Sequence, residues 1–286
     1  MKHVFECAAA QKKYWVMLPE YGYAVVEYPQ HPDIFSFDRG NEADVIQELI
    51  DKINGANQLH GKKLCIDITG FMRPHILFLV QYLQTINIMS FDMIYTEPAQ
   101  YGRKEDTKFS HDVYQVRQVA GFEGIHIDET ANDILVVGVG YDDELISRVV
   151  NEKDGAKLYQ LRSLPSLSAD MYQESILRLD KTPLADQPDM ADRVFFASAN
   201  DPFVVATELS DKLQELRARK SVDNIYLSPL ATKPQALGFA LFYIMELRNH
   251  PASIIFPFST SYSRETSAGV GRTWCYEIRL ADVASI

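Results

Sequence analysis

Hydrophobic residues along the chain fall into continuous apolar runs that alternate with stretches of helical periodicity. Continuous runs are typical of strands that are buried on both faces; the clearest are LCIDIT, FDMIYT, ILVVGVG, RVFFASA, NIYLSP and SIIFPF. Several of the segments between them repeat apolar residues at a spacing of three or four, as amphipathic helices do. This alternation predicts an α/β fold with a mostly parallel sheet and helices on both faces.

The first 40 residues follow a different pattern, because they are rich in Tyr, Phe and Val. Three short apolar segments between turn-forming residues predict strands: VFEC, YWVML and YAVVEYP. Residues 41–53 predict a helix that Asn41 caps. We therefore expect a β-rich N-terminal extension with one helix over 1–60 and the main α/β domain over 61–286. The connector 182–190 is the best candidate for a boundary inside that domain.

Two segments share one design. Residues 64–83 read LCIDITGFMRPHILFLVQYL, and residues 225–244 read IYLSPLATKPQALGFALFYI. In both, an apolar run leads through a short loop with one cation and Pro into an apolar helix pattern, so that Arg73 and Lys233 hold equivalent places. Such a loop brings backbone N–H groups and a cation to the end of a sheet, where open α/β folds bind anionic or nucleotide-like ligands.

The first loop allows two interpretations. Gly70 permits a tight turn and Pro74 suits the first turn of a helix, so that Thr69 and Arg73 would face an anion. Alternatively, Asp67 or Thr69 caps the helix and Arg73 is solvated.

The second loop runs from Ser228 at the end of its strand to Gln235. Thr232 predicts an N-cap, which places Lys233 at the positive end of the helix. A cation there disfavours the helix unless an anion or an acidic neighbour offsets it. Lys233 is therefore the more informative of the two cations.

Two further loops follow predicted strands. Gly138 and Gly140 suggest a dinucleotide loop, but Asp143 stands where the full GxGxxG pattern needs Gly. The aspartates there more simply cap a helix, while the glycines would still let a ligand approach closely. Asn200 and Asp201 before a proline predict another helix start at the same edge of the sheet.

A polar segment over residues 259–272 either wraps a polar ligand or forms a hydrated hairpin loop. Its Arg264 and Arg272 would match phosphate or carboxylate groups. Tyr262 in this segment and Tyr101 after another strand would stack on a base.

Composition narrows the partners and the compartment. The net charge is 28 − 39 = −11, which argues against a nucleic-acid polymer or an anionic membrane but not against a small anion in a local pocket. The three cysteines form no CxxC pair, and we expect buried free thiols in the cytoplasm. No apolar leader opens the chain. No P-loop, zinc or nucleophile-elbow motif appears, and no cofactor is indicated.

The segment Thr232-Lys233-Pro234-Gln235-Ala236-Leu237 is similar to the signature of CARF domains, the Rossmann-like sensors of CRISPR-linked immunity. In that family, a Thr-Lys motif begins a helix and lines a cyclic-oligoadenylate pocket at a dimer interface. The resemblance implies a Rossmann-like, nucleotide-sensing domain of a prokaryotic antiviral defence protein that forms a homodimer. Ala231 stands where the family usually has Gly.

Three hypotheses for the function remain open. The first is binding or sensing of a nucleotide-like or phosphorylated small molecule at the carboxyl edge of the sheet. The second is an enzyme that hydrolyses such a ligand or transfers a glycosyl group, with Asp67, Glu97 or Asp201 as acid–base groups. The third is a non-catalytic interaction subunit that docks a partner through its first 40 residues.

Overall fold

The computed structural model describes residues 2–38, 40–57, 59–101, 110–168, 171–179, 182, 191–263 and 267–280. Its helices are α1 (Lys2–Cys7), α2 (Glu42–Asn57), α3 (Arg73–Thr85), α4 (Asp143–Glu152), α5 (Met171–Leu179), α6 (Pro202–Arg219) and α7 (Lys233–Phe242), and α7 continues in a π-helical turn over Tyr243–Leu247. Its strands are β1 (Trp15–Met17), β2 (Ile34–Ser36), β3 (Cys65–Asp67), β4 (Ser90–Thr96), β5 (Gln100–Tyr101), β6 (Ser110–Gln118), β7 (Ile134–Gly138), β8 (Lys157–Ser163), β9 (Val194–Ala197), β10 (Ile225–Pro229), β11 (Ala252–Tyr262), β12 (Ser267–Ala268) and β13 (Thr273–Arg279).

The larger sheet has six strands in the order β6-β11-β10-β7-β8-β9. All neighbours in it are parallel except β6, which pairs antiparallel with β11. Ile225 and Leu227 in β10 share an apolar cluster with residues of α6 and α7. Tyr226 between them points to the opposite face, where the ammonium of Lys153 after α4 lies 3.9 Å from its ring centre. Helices therefore cover both faces, and the predicted Rossmann-like α/β fold is confirmed.

The smaller sheet has three strands in the order β13-β4-β3. It contains the runs LCIDIT and FDMIYT, which form β3 and β4 here and not strands of the main sheet as predicted. β3 and β4 are parallel, and β13 pairs antiparallel with β4. An apolar run shows that a strand is buried but does not show which strand it pairs with. The first of the two matched loops therefore belongs to the small sheet and the second to the large one.

Helices α3 and α7 join the two sheets. They pack against each other, and α2 packs on α3. Nine residues of α3 are buried, as are nine of the ten residues of α7. This packing brings the starts of the two helices together.

The N-terminal extension contains less strand than predicted. VFEC lies in α1, and YAVVEYP contains a 3-10 turn over Val25–Glu27. Only YWVML forms a strand, β1, which pairs with the three-residue β2. Val25 and Val26 are 79% and 91% exposed, so these β-branched residues have no buried face that would select a strand. The predicted cap of α2 is confirmed, because the Asp44 N–H donates to Asn41 Oδ1 at 2.9 Å.

The predicted connector 182–190 lies outside the described residues except for position 182. The cysteines are free thiols, but all three are exposed rather than buried. Cys7 lies in α1, and Cys65 and Cys275 lie in the small sheet. No helix in the described part of the chain is both long and apolar enough to cross a lipid bilayer.

Candidate functional site

The two matched loops face each other across the starts of α3 and α7. Arg73 Nε donates a hydrogen bond to the carbonyl of Ala231 at 2.5 Å, and the Lys233 ammonium donates to the carbonyl of Thr69. Each cation thus binds the backbone of the opposite loop. We call this arrangement, formed by residues 67–74 and 231–234, the paired-loop site.

The first loop is held by a turn of its own. The Asp67 carboxylate accepts from the Thr69 N–H at 2.9 Å and so caps a 3-10 turn over Ile68–Gly70. The Thr69 hydroxyl accepts from the Thr96 N–H at 2.9 Å, which ties the loop to β4. Neither residue caps α3, whose N-cap residue Met72 makes no side-chain cap hydrogen bond. Asp67 therefore caps a 3-10 turn rather than α3, and Arg73 is partly buried rather than fully solvated.

The second loop follows the prediction more closely. The Thr232 hydroxyl accepts from the Gln235 N–H at 3.3 Å and is the N-cap of α7. It also donates to the carbonyl of Ala199 after β9. Lys233 is therefore the first residue of α7, at the positive end of the helix.

The two cations lie in a desolvated environment. Burial and then the neighbouring Arg73 guanidinium lower the pKa of Lys233 to about 7, against the opposing effect of Asp67. Burial also lowers the pKa of Arg73, although Tyr262 and Asp142 partly oppose it. Among the described residues, no carboxylate oxygen lies within 4 Å of either cation. The first turns of α3 and α7 also contain no acidic residue.

Arg73 has hydrogen-bonding capacity left over. Its Nε is the one nitrogen with an acceptor in the described part of the chain; the terminal nitrogens Nη1 and Nη2 have none. Arg73 and Lys233 are both partly exposed, so a solute can reach them. A guanidinium with both terminal nitrogens available matches the two oxygens of a phosphate or carboxylate.

Three tyrosines lie close enough to Arg73 to affect its pKa. Tyr262, Tyr95 and Tyr21 all interact with its charge. Burial raises the pKa of Tyr21 to about 12 and also raises that of Tyr262, so both phenols stay protonated at neutral pH. Tyr262 was predicted as part of the site. Sequence reasoning missed Tyr21, because it lies about 50 residues from Arg73 in a segment without a local motif.

Three other residues that we predicted to bind a ligand are packed inside the protein: Gly138, Gly140 and Ser228. A Cβ on Gly140 would lie 2.1 Å from the carbonyl oxygen of Leu230, and one on Gly138 would lie 3.2 Å from the Phe239 ring. The close approach at these glycines is therefore made by the β10–α7 loop and by α7. Ser228 is fully buried in β10, and its hydroxyl has no hydrogen-bond partner among the described residues.

The expected capping role of the aspartates before α4 is confirmed. Asp142 is the N-cap of α4, where its carboxylate accepts from the Leu145 N–H at 3.2 Å. Asp143 follows it in the first turn of the helix. This loop thus places acidic groups, not a phosphate cradle, at the helix start.

Asn200 and Glu97 form a second polar cluster. Glu97 Oε1 accepts from Trp274 Nε1 at 2.7 Å and from Asn200 Nδ2 at 3.3 Å. The Ser198 hydroxyl donates to Asn200 Oδ1 at 2.7 Å, and the Tyr276 hydroxyl donates to the Asn200 carbonyl at 2.6 Å. These bonds tie the small sheet to the β9–α6 loop.

The candidate acid–base residues all accept backbone or side-chain N–H groups. Asp201 caps α6 through the N–H groups of Phe203 and Val204, at 2.9 and 3.1 Å. Asp67 caps the 3-10 turn, and Glu97 holds the second cluster. The described residues also contain no cluster of three or more His, Cys, Asp or Glu side chains that would hold a metal ion.

The predicted polar loop over 259–272 is partly strand. β11 continues through Tyr262, and β12 pairs with β5. Arg272 has an exposed side chain, and its carbonyl accepts from the Glu97 N–H at 2.8 Å. Arg264 and the side chain of Tyr101 lie outside the described residues. Tyr262, by contrast, lies near Arg73 in the paired-loop site.

Neither a protein-family model nor a curated protein matches the chain.

Proposed function

We propose that the paired-loop site binds a nucleotide-like or other phosphorylated small molecule, with its anionic group between Arg73 and Lys233. One observation carries this proposal: two adjacent, desolvated cations stand at two helix starts with no carboxylate within 4 Å among the described residues. Desolvated like charges are unfavourable unless a counter-charge offsets them. A phosphate would supply that charge, and the N-terminal N–H groups of α3 and α7 would add to its binding.

A purely structural role explains the two cations less well. The bond from Arg73 to Ala231 uses one of five guanidinium N–H groups. A neutral side chain at position 233 would donate the same kind of hydrogen bond to the Thr69 carbonyl. It would do so without placing a second positive charge beside Arg73. The charges themselves therefore support anion binding.

Calorimetry with inorganic phosphate and AMP tests the proposal. We expect Arg73→Ala and Lys233→Ala to weaken binding of both compounds. Arg148→Ala and Lys62→Ala are matched controls, because each removes one exposed positive charge elsewhere and should leave binding unchanged. Equal losses in the controls and the site variants would show non-specific charge attraction and contradict the proposal.

The resemblance to CARF domains extends the proposal to a sensor of cyclic oligoadenylates that acts as a homodimer. Titration with cyclic tetra-adenylate tests this version, with sedimentation velocity to measure the oligomeric state. Binding at least about tenfold tighter than that of AMP, a difference of about 1.4 kcal/mol, would support it. Weaker binding than AMP by a monomer would reject the sensor version and leave simple anion binding in place.

A further inference from the structure

The N-terminal segment reaches the start of α3. Its 3-10 turn over Pro19–Tyr21 contacts β11. Within this turn, Glu20 Oε1 lies 3.3 Å from Nε2 of His75, which is in the first turn of α3, two residues after Arg73. The segment therefore rests on the helix that carries Arg73.

The Glu20–His75 contact joins a buried imidazole to a partly buried carboxylate, and it lacks the geometry of a good hydrogen bond. His75 is 3% exposed, and burial lowers its pKa against the carboxylates of Glu20 and Glu42, so its imidazole is neutral at neutral pH. Glu20 Oε2 and both ring nitrogens of His75 are buried without a hydrogen-bond partner among the described residues. Native proteins leave few buried polar atoms unpaired, so these atoms call for an explanation.

Tyr21, the residue after Glu20, lies near Arg73 of the paired-loop site. Its phenol interacts with the Arg73 guanidinium, and the phenol of Tyr262 interacts with both. Tyr21 and Tyr262 are partly exposed, and the ring centre of Tyr21 lies 5.9 Å from that of Tyr23. Two partly exposed aromatic rings therefore lie near Arg73, the cation to which we assign the anion.

We infer that Pro19–Tyr21 is the third wall of the paired-loop site and that Tyr21 stacks on a flat ring attached to the anion. The ligand class is then a phosphate on an aromatic heterocycle, such as a nucleoside monophosphate. The Glu20–His75 contact acts as a positioning element that seats Tyr21. This inference rests on the proposed function and adds the ring and the N-terminal segment to it.

Comparison of AMP with inorganic phosphate separates the ring from the anion. In wild type, we expect AMP to bind more tightly than phosphate. Tyr21→Ala should weaken AMP binding by about fivefold to a hundredfold, as loss of base stacking does, and should leave phosphate affinity unchanged. Tyr21→Phe keeps the ring and should retain most of the AMP affinity. Glu20→Ala should lower AMP affinity by a smaller factor, again without affecting phosphate.

Val26→Ala is the control within the same segment, because Val26 is 91% exposed. Hydrogen exchange of wild-type residues 18–23 provides a measurement that needs no variant: AMP should slow it, and phosphate should slow it less. Unchanged AMP affinity in Tyr21→Ala, with binding lost in Arg73→Ala, would overturn the inference and leave the proposed function standing. Absence of both AMP and phosphate binding by wild type would overturn both.

Discussion

The Arg73 loop and the Lys233 loop have the same sequence design but differ in how they hold their cations. The Lys233 loop ends in a helix that is capped by Thr232, whereas α3 has no side-chain cap and its loop is held by the Asp67 turn instead. A guanidinium keeps its charge at physiological pH, but the pKa of Lys233 is about 7. The same pattern therefore gives one permanent charge and one that changes near neutral pH.

The largest expected effect comes from breaking the support of the Lys233 loop alone. Gly140→Ala would place a Cβ 2.1 Å from the Leu230 carbonyl oxygen, so the backbone of the loop must move. We expect a loss of at least about 3 kcal/mol in the free energy of unfolding, at the upper end for overpacking. Urea denaturation measures it. Gly138→Ala is the matched control, with a contact of 3.2 Å to the Phe239 ring, and an equal loss there would contradict this explanation.

Removing one threonine hydroxyl from each loop shows how much its hydrogen bonds stabilise that loop. Thr232→Val deletes the cap of α7 and the bond to Ala199, and should cost about 1–2 kcal/mol of unfolding free energy. Thr69→Val deletes one acceptor for the Thr96 N–H and should cost about 1 kcal/mol. Thermal or urea unfolding measures both. A larger loss for Thr69→Val would mean that the small sheet depends on its loop more than the large sheet does.

Exchange of the cation type tests whether Arg73 contributes geometry as well as charge. Arg73→Lys keeps the charge but removes the two terminal nitrogens that match an anion, so phosphate affinity should fall about tenfold. Calorimetry at pH 6.5 measures it. Arg148→Lys is the control, since Arg148 is exposed on α4. Unchanged affinity in Arg73→Lys would assign Arg73 a purely electrostatic role.

The smallest expected effect is the pH dependence that separates the two cations. The folded-state pKa of Lys233 is about 7, below its ordinary value of 10.5, so the side chain loses its proton as pH rises through 7. Affinity for sulfate, whose charge does not change in this range, should then fall about fivefold between pH 6 and pH 8. Calorimetry with sulfate at the two pH values measures it. Lys233→Arg should bind equally well at both pH values, and a pH dependence that persists in this variant would exclude Lys233 as its source.

The same shift affects stability with a definite sign. Between pH 7 and pH 10.5 the unfolded chain holds the Lys233 proton and the folded chain does not, so the contribution of this group to stability rises with pH in that window. Lys233→Met should flatten this part of the stability profile.

The sequence predicts the layers of the fold better than the pairing of its strands. Apolar runs located β7, β10 and β11 correctly because strands buried on both faces leave a continuous signal. The same signal in LCIDIT and FDMIYT does not distinguish a second sheet from the first, since that depends on β13, which pairs with β4 from 177 residues away at Thr273 and Thr96. VFEC had β-forming residues but no partner strand, and it is helical.

The helix starts that hold Arg73 and Lys233 were predictable from the sequence, but the contacts between their loops were not. The loop pattern identified Arg73, Lys233 and the cap at Thr232, because helix starts obey local rules. The exchange of hydrogen bonds between the loops depends on the packing of α3 on α7, which no local pattern encodes. Tyr21 joins Arg73 through the path of the N-terminal segment, and that path is likewise a tertiary property.

The crossed bonds between the two loops also bear on the order in which the molecule folds. Arg73 and Ala231 are 158 residues apart, and Lys233 and Thr69 are 164 apart. Contacts of such long range form slowly, because much of the intervening chain must first be ordered. On the ribosome, the small sheet lacks its strand β13 until residue 279 has emerged. The paired-loop site is therefore expected to be among the last features to form, so that its occupancy would report a completely folded chain.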